Sequence, residues 1–419
     1  MPNSRKYARE YSGPGANLPA EKWHIFYEAA FKQRIPLYKA AEKAGISRTT
    51  ARGMHAEIRS YLAQKTLPPK LQEQKGPAMT LLDPTRESED VRELRHNLQS
   101  NIIGQPQVID SIMDVYSLSR AGMVLPTAPV GKFLFLGPTG SGKTHTVEAL
   151  AQALVGNPRA YLKVDCAEFQ HSHEIAKLIG SPPGYLGHRE TPPMLSQLNL
   201  NKWHTATFKQ SFLLFDEIEK GSDALWKLLL GILDKGTLTM GDNSIVDFTQ
   251  TWIFMTSNLG AERIYASLEG ANNLGFADAQ QYAEGKLSDI AEREARKKFS
   301  PEFMNRLDRV VLFSPLSKES VDKIFDLEVK SFFNLSKTRG ASVFPTFTPE
   351  ARQFIIDRGY DPKNGARHLK RVLNKYLAFP IARFLLTGQV THGDGVHVSL
   401  NGDALEFRRK DVDLIFKAA

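Results

Sequence analysis

Gly137-Pro138-Thr139-Gly140-Ser141-Gly142-Lys143-Thr144 is the stretch that decides the fold. It fits the pattern G-x-x-x-x-G-K-[ST]. An apolar run before it, Lys132-Phe133-Leu134-Phe135-Leu136, reads as a short buried strand, and His145 to Val155 after it reads as a helix. In that order the three segments make a phosphate cradle. Glycines let backbone N–H groups converge on phosphate oxygens, and the helix N-terminus adds positive potential. Pro138, Thr139, Gly140, Ser141, Gly142, Lys143, Thr144 and His145 are the candidate contacts to ATP. Lys143 would reach the β- and γ-phosphates, and Thr144 would ligate Mg²⁺.

The chain has 419 residues, room for two or three domains. Apolar residues make up 42%, ordinary for a soluble protein, and no run of 18 apolar residues predicts a membrane span. Met1 to Glu10 is polar and lacks the apolar centre of a signal peptide. Cys166 is the only cysteine, which excludes an intrachain disulfide and suits a reducing cytoplasm. The net charge of +8 is uneven. Residues 1–75 hold 14 of the 54 basic and 6 of the 46 acidic residues, leaving the rest balanced at 40 of each. An anionic partner for the N-terminal block is the expectation.

That block reads as three helices: Ala20–Gln33, Leu37–Ala44 and Arg48–Ala63, the last capped by Ser47 after Gly45-Ile46. A short helix, a Gly-containing turn and a Ser-capped helix form a helix-turn-helix layout. Pro68-Pro69, Gly76-Pro77 and Asp83-Pro84 mark a linker. Beyond it, helical stretches alternate with the apolar runs Ala160–Val164, Ser211–Phe215, Thr251–Met255 and Arg309–Phe313, which predicts a parallel sheet between helices. Helices over Lys318–Ser336, Pro349–Arg358 and Ala366–Leu386 then lead to strand-like alternation in Gly393–Lys417. The expected domains are a basic helical domain at 1–66, a linker at 67–90, an α/β nucleotide domain at 91–315 and a small α+β domain at 316–419.

Phe212-Leu213-Leu214-Phe215-Asp216-Glu217 is an apolar strand ending in two carboxylates, a Walker-B arrangement. Asp216 would hold the Mg²⁺ shell and Glu217 would orient the attacking water. The plainer alternative is an acidic junction that caps the next helix. From about Val91 onward the chain resembles the second ATPase module of the ClpB and ClpA AAA+ protein unfoldases. The resemblance is carried by Ile102-Ile103-Gly104-Gln105, Phe133 to Thr144, Leu178 to Gly187, and Asp216-Glu217-Ile218-Glu219-Lys220. It continues through Thr256-Ser257-Asn258-Leu259-Gly260, Pro301 to Asp308 and Gly365-Ala366-Arg367.

The resemblance implies an α/β P-loop AAA+ fold with a small lid domain, and it implies roles. Ile102 and Ile103 pack on adenine. Asn258 acts as sensor 1. Arg306 is an arginine finger for a neighbouring subunit, and Arg367 is sensor 2; for both arginines the alternative is a surface ion pair. A finger acting in trans requires a homo-oligomer, a hexamer as in the family. Gly184-Tyr185-Leu186-Gly187 resembles the pore loop that grips a protein substrate, with Tyr185 and Leu186 as the contacts, and a core-anchored turn is its alternative. Gly236 to Asn243 is a candidate second lumen loop. After Gly187 the sequence departs from the family, with His188-Arg189-Glu190-Thr191-Pro192-Pro193 in place of a Gly-Gly segment and an unusual stretch through Trp203 and Phe208. Leu274-Gly275-Phe276 falls where related unfoldases dock a ClpP-type peptidase, or else it is a buried loop anchor.

Leu37 to Arg52 resembles the helix-turn-helix of recombinases and bacterial regulators, with Arg48, Thr49, Thr50 and Arg52 as candidate DNA contacts. A helical adaptor is the other reading of that block. Two functions therefore stand: an ATP-driven protein unfoldase targeted by a DNA-binding domain, or a DNA-directed AAA+ regulator of transposition, replication or plasmid maintenance that threads no polypeptide. A ring whose ATPase only switches assembly is a third.

Overall fold

The structure, a computed structural model, describes residues 19–65, 83, 85–181, 192–272, 279–338, 343–361 and 365–410. Its contacts divide the chain into two units, Met1–Arg86 and Glu87–Ala419.

In the first unit α1 spans Ala20–Tyr27 and runs into a π-helical turn, Glu28–Lys32. Helix α2 is Leu37–Ala44 and α3 is Arg48–Lys65. Pro36 opens α2, where a missing N–H costs nothing. Gly45 closes it at φ 61°, a left-handed geometry that glycine adopts without Cβ strain. Ser47 Oγ accepts the N–H of Thr50 at 3.1 Å and so caps α3 as expected. The core is small: Phe26, Met54 and Ile58 among Ala29, Ala40, Ala41, Ala44 and Ala51. Alanines at the crossings let three short helices approach closely around few large side chains.

The second unit begins with α4 (Glu89–Asn101) and α5 (Pro106–Arg120). A five-stranded sheet follows, from β1 (Gly131–Leu136), β2 (Leu162–Asp165), β3 (Ser211–Asp216), β6 (Thr251–Ser257) and β7 (Arg309–Leu312). Its order is β2-β3-β6-β1-β7, parallel throughout. Helix α6 (Lys143–Val155) connects β1 to β2. Both faces of the sheet are buried, which is why the strands read as continuous apolar runs rather than alternating ones. The faces differ in kind. Phe133, Phe135, Phe212, Trp252 and Phe254 form one aromatic face, with Phe133 and Phe254 stacked at 5.1 Å. Leu134, Leu136, Leu213, Ile253 and Met255 lie in the other, largely aliphatic core. Trp203 and Phe208, from the unusual stretch, pack on the aromatic side.

Between β3 and β6 lie α7 (Asp223–Lys235) and a hairpin of β4 (Thr237–Thr239) and β5 (Ile245–Asp247). Gly236–Asn243, the expected second lumen loop, is thus mostly strand and hairpin turn. Helices α8 (Ala261–Asn272) and α9 (Ala279–Lys298) separate β6 from β7.

The small domain holds α10 (Lys318–Thr338), β8 (Phe344–Phe347), α11 (Pro349–Gly359), β9 (Gly395–Asn401) and β10 (Ala404–Lys410). Its three-stranded sheet runs β10-β9-β8 over a core that includes Phe325, Ile355 and Leu369. The helix expected over Ala366–Leu386 runs without a gap but changes its hydrogen-bond pattern, from a 3₁₀ turn through an α turn and a π turn at Asn374–Ala378 to a final α segment, Phe379–Leu386. Pro380 lacks the N–H that a regular ladder needs there, and the π turn absorbs that gap.

Phe254 sits in the central strand and meets Phe133, Phe135, Phe212 and Trp252. Phe254→Ala should destabilise this unit by about 3–5 kcal/mol, measured by urea unfolding with Trp252 as the fluorescent reporter.

Candidate active site

Sheet order places the site. Strand β6 lies between β3 and β1, so three neighbouring strands end side by side: β1 in the Gly-rich loop, β3 in Asp216-Glu217 and β6 in Ser257-Asn258. Open parallel sheets bind ligands at this edge. In the loop, Gly140 and Gly142 hold φ of 75° and 102°. A Cβ on Gly142 would meet nothing within 4 Å, so the loop opens toward free space. A Cβ on Gly137 would lie 2.5 Å from the Phe313 carbonyl, so that glycine is required for packing. Helix α6 starts at Lys143, two residues earlier than its apolar pattern indicated.

Lys143 is 8% exposed. Its ammonium donates to the carbonyls of Gly137 at 2.6 Å and Pro138 at 2.8 Å, and to Asn258 Oδ1 at 2.9 Å. Burial lowers its pKa to about 8, against the opposing pull of Glu219, Asp216 and Glu217. Asp216 is half-buried. Burial works to raise its pKa, but bonds from Lys163 Nζ at 2.6 Å and from the Thr256 hydroxyl hold it below the usual carboxylate value. Glu217 has φ 54° and ψ 51°, a strained left-handed conformation for a residue with a Cβ. Its carboxylate pairs with Lys220 at 2.5 Å and faces Asn258 Nδ2 at 3.4 Å.

Asn101 to Ile103 and the small domain complete a cavity of about 480 Å³. Ile102, Ile103, Thr139 to His145, Asp216, Glu217, Asn258 and Arg367 all line it. Hydrogen bonding to Glu148 raises the pKa of His145, whose other ring nitrogen lies 3.2 Å from the Asn101 carbonyl. Arg367 arrives on the 3₁₀ turn Ala366–His368. The preceding Gly365 has φ 58°, and a Cβ there would fall 2.6 Å from the Gly140 carbonyl, so the small domain touches the Gly-rich loop backbone to backbone. Pro138 does not line the cavity; its carbonyl serves Lys143 instead.

Thr144 and Asp216 offer hard oxygen ligands within one cavity. Among the described residues no group of three His, Cys, Asp or Glu could hold a metal. That donor set fits Mg²⁺, which is held by one or two protein oxygens together with phosphates and water.

Arg306 lines no part of this cavity. It follows the Ser300-capped helix Pro301–Asn305, with Nη1 donating to Glu302 at 2.8 Å and Nε lying 3.1 Å from Asp234 without hydrogen-bond alignment. In the N-terminal unit Arg48, Thr49 and Arg52 are exposed, while Thr50 is half-buried with its hydroxyl 2.7 Å from that of Ser47. Tyr185, Leu186 and Leu274-Gly275-Phe276 lie outside the described residues. At the base of the first of these loops, Gly241 N–H donates to the Ile179 carbonyl at 2.8 Å, tying the β4–β5 turn to the segment that leads into 182–191.

Four residues had no role assigned from sequence. Gln105 is 1% exposed and exchanges two hydrogen bonds with the Ser314 backbone, at 2.9 and 3.0 Å, where β7 leaves for the small domain. Glu219 accepts the Asn258 backbone N–H at 2.9 Å. Lys163 holds Asp216 and Lys220 holds Glu217. A lysine inside the otherwise apolar Leu162–Val164 was a readable signal; the others depend on strand order.

Comparison with known proteins bears on the same residues. Residues 128–310 match a family described as AAA domain (Cdc48 subfamily), and 316–398 match the C-terminal, D2-small domain, of ClpB protein. Chaperone protein ClpB of Mesorhizobium japonicum is 35% identical over 333 residues, 80% of this chain and 36% of that protein. The ClpB of Rhizobium meliloti is 36% identical over 323 residues, 77% and 35% of the two chains. This chain thus spans about a third of the length of these relatives. The S. cerevisiae Hsp104:casein complex superposes with a TM-score of 0.65 at 29% identity, over 77% of this chain and 53% of that one. A closed state of Hsp104 with ATPγS and FITC casein gives 0.64 at 26%, over 93% and 63%. Among the described residues no helix is long and apolar enough to cross a membrane.

With burial bringing the Lys143 pKa to about 8, a triphosphate bound against this ammonium would favour its protonated form and draw a proton onto the lysine above that pH. The apparent dissociation constant of a nucleotide should therefore rise as pH climbs past 8, by up to about tenfold per unit. Titration calorimetry at pH 7, 8 and 9 checks it; a flat profile contradicts it.

Proposed function

This chain carries a AAA+ ATPase module of the ClpB/Hsp104 family, and from that premise we propose that it hydrolyses Mg·ATP as a ring of six copies and uses the cycle to unfold or remodel protein substrates drawn through the ring. The observation that carries this reading is the convergence of Lys143, Thr144, Asp216, Glu217, Asn258 and Arg367 on one cavity formed between large and small domains.

In this reading Ile102 and Ile103 hold the adenine, and Lys143 exchanges its carbonyl acceptors for the β- and γ-phosphates. Thr144 and Asp216 hold Mg²⁺, which when bound neutralises charge on the phosphate oxygens. Glu217, released from Lys220, accepts a hydrogen bond from the attacking water and takes up its proton. Asn258 lies between Glu217 and Lys143 and fixes that water against the γ-phosphate. Arg367 reports the phosphates to the small domain. Arg306, turned away from its own cavity, serves the site of an adjacent copy, where a fixed cation stabilises charge as the terminal bond breaks.

Tyr185 and Leu186 grip the substrate, an assignment supported by their Gly-flanked sequence. The related Hsp104 structures are complexes with casein, and an unfolded chain of that kind is the substrate class assigned here. The protein would work in the cytoplasm. Leu274-Gly275-Phe276 is the candidate contact for a ClpP-type peptidase. Residues 1–66 would deliver the ring to DNA, an assignment supported by the concentration of the net positive charge in residues 1–75. That same charge favours the second reading, a DNA-directed AAA+ regulator without threading. ATP turnover measured with casein, with duplex DNA and with neither separates the two, since casein stimulates only a threading machine.

Two substitutions test the mechanism. Arg306→Ala should lower ATP turnover about 10³-fold or more while fluorescent ADP binds as before. Tyr185→Ala should stop unfolding of a tagged fluorescent protein while leaving ATP turnover within about twofold, since an aromatic grip on substrate takes no part in the chemistry at phosphate.

A further inference from the structure

Helix α3 sorts its residues by face. Ala51, Met54 and Ile58 are buried in the three-helix core. Arg48, Arg52, His55 and Arg59 recur at i, i+4, i+7 and i+11, which puts them within about 60° of one another on an adjacent face. The three arginines are exposed, and none forms an ion pair with a described side chain; Lys32–Glu28 is the pair this unit shows among the described residues. His55 lies between Arg52 and Arg59, stacked on Phe31 at 4.9 Å. Burial and the neighbouring Arg59 lower its pKa, so the row's fixed charge is that of the arginines. At the first turn a crevice of about 480 Å³ opens between α2 and α3, lined by Leu37, Tyr38, Arg48 and Arg52. Tyr38 is 50% exposed.

The two threonines are placed differently. Thr49 lies about 100° round the helix from Arg48 and about 60° beyond Arg52, at the outer edge of the row, and Thr50 lies about 200° round from Arg48, its N–H and hydroxyl both engaged with Ser47. Arg59, absent from the candidates chosen by sequence, belongs to the row.

We propose that Arg48, Arg52 and Arg59, with Tyr38 beside them, form a ridge that grips the phosphate backbone of duplex nucleic acid, and that Thr49 and Thr50 read no base. This rests on the reading that residues 1–66 bind DNA and specifies how. The ridge is about 16 Å long at 1.5 Å per residue. A duplex presents phosphates at about 3.4 Å of axis per strand, so several lie along that length. Guanidinium forks match phosphate oxygens, and the Tyr38 hydroxyl adds a donor of the kind that contacts backbone. A single strand would need a row of exposed aromatic platforms, and on this face among the described residues only Tyr38 offers one. An acidic protein segment offers carboxylates without the fixed repeat of a strand, so the straight row favours the duplex.

The test uses the full chain and fluorescence anisotropy with two duplexes of unrelated sequence across a salt series. Replacing Arg48→Gln, Arg52→Gln and Arg59→Gln together should weaken both duplexes alike and reduce the slope of log K against log salt by about 2.7, or about 0.9 for each phosphate no longer neutralised. Thr49→Ala with Thr50→Ala should leave affinity and slope within about twofold. Thermal melting of each variant confirms that the helices persist. Loss of binding in the threonine variant with retention in the arginine variant overturns the ridge while leaving DNA binding standing. Equal capture of poly-glutamate overturns the duplex as occupant. An unaltered chain that binds no duplex even at low salt removes the underlying reading itself.

Discussion

The ammonium of Lys143 ties two separate pieces of chain together, with a third within reach of its charge. It bonds the Gly137 and Pro138 carbonyls in the Gly-rich loop and the side-chain oxygen of Asn258 at the end of β6, and it feels the charges of Glu219, Asp216 and Glu217. A buried cation survives only with such company, because desolvation otherwise drives off its proton. Here burial wins enough to bring the pKa to about 8, yet the acceptors keep the group charged at neutral pH. The loop is therefore closed on its own lysine. A polyphosphate entering the site competes with acceptors already present and replaces neutral carbonyls with anionic oxygens, a stronger class of hydrogen bond.

The carboxylates are held in the same way. Lys163 and Thr256 orient Asp216, and Lys220 engages Glu217, whose backbone is strained. Strain of this kind persists where surrounding structure over-determines a residue, and here the Thr256 hydroxyl accepts the Glu217 N–H at 3.1 Å. The site also connects to the domain junction. Gln105 bonds the Ser314 backbone and reaches the Ser141 carbonyl of the loop at 3.4 Å, and Gly365 lies against Gly140. A change in the loop's backbone is thus felt directly by the residues from which the small domain departs. That is the geometry a nucleotide-driven motion requires, since two arrangements of one packed junction can be biased by ligand contacts.

Much of the site was legible before any fold was known. The phosphate loop, the paired carboxylates and Asn258 are local patterns: a glycine-rich turn between strand and helix, and polar residues at the end of apolar runs. The residues expected from sequence to contact nucleotide line the cavity, apart from Pro138, whose carbonyl accepts from Lys143. Gln105, Glu219 and Lys220 were not legible as partners, because their bonds run to residues distant in the chain or set by a local backbone twist. In the N-terminal unit the helices were readable from spacing, whereas the face each residue of the third helix occupies needed the helix placed against its core. Helical rotation sets Thr50 on a different face from Arg48 and Arg52, where the Ser47 cap engages it, and leaves Thr49 at the edge of the row.

Sequence by itself determined the main strands and helices, the phosphate cradle and the two-sided burial of the sheet, because each follows from short-range steric rules and from the period of apolar residues. Tertiary structure alone decided that β6 lies between β3 and β1, and with it that Asn258 stands between Lys143 and Glu217. The fold also carries Arg367 to the cavity and leaves Arg306 outside it, a placement that local sequence patterns do not reach without the family resemblance. The physical reason is that strand order and domain docking are set by packing across the whole sheet and junction, a sum of many long-range contacts that no local stretch encodes.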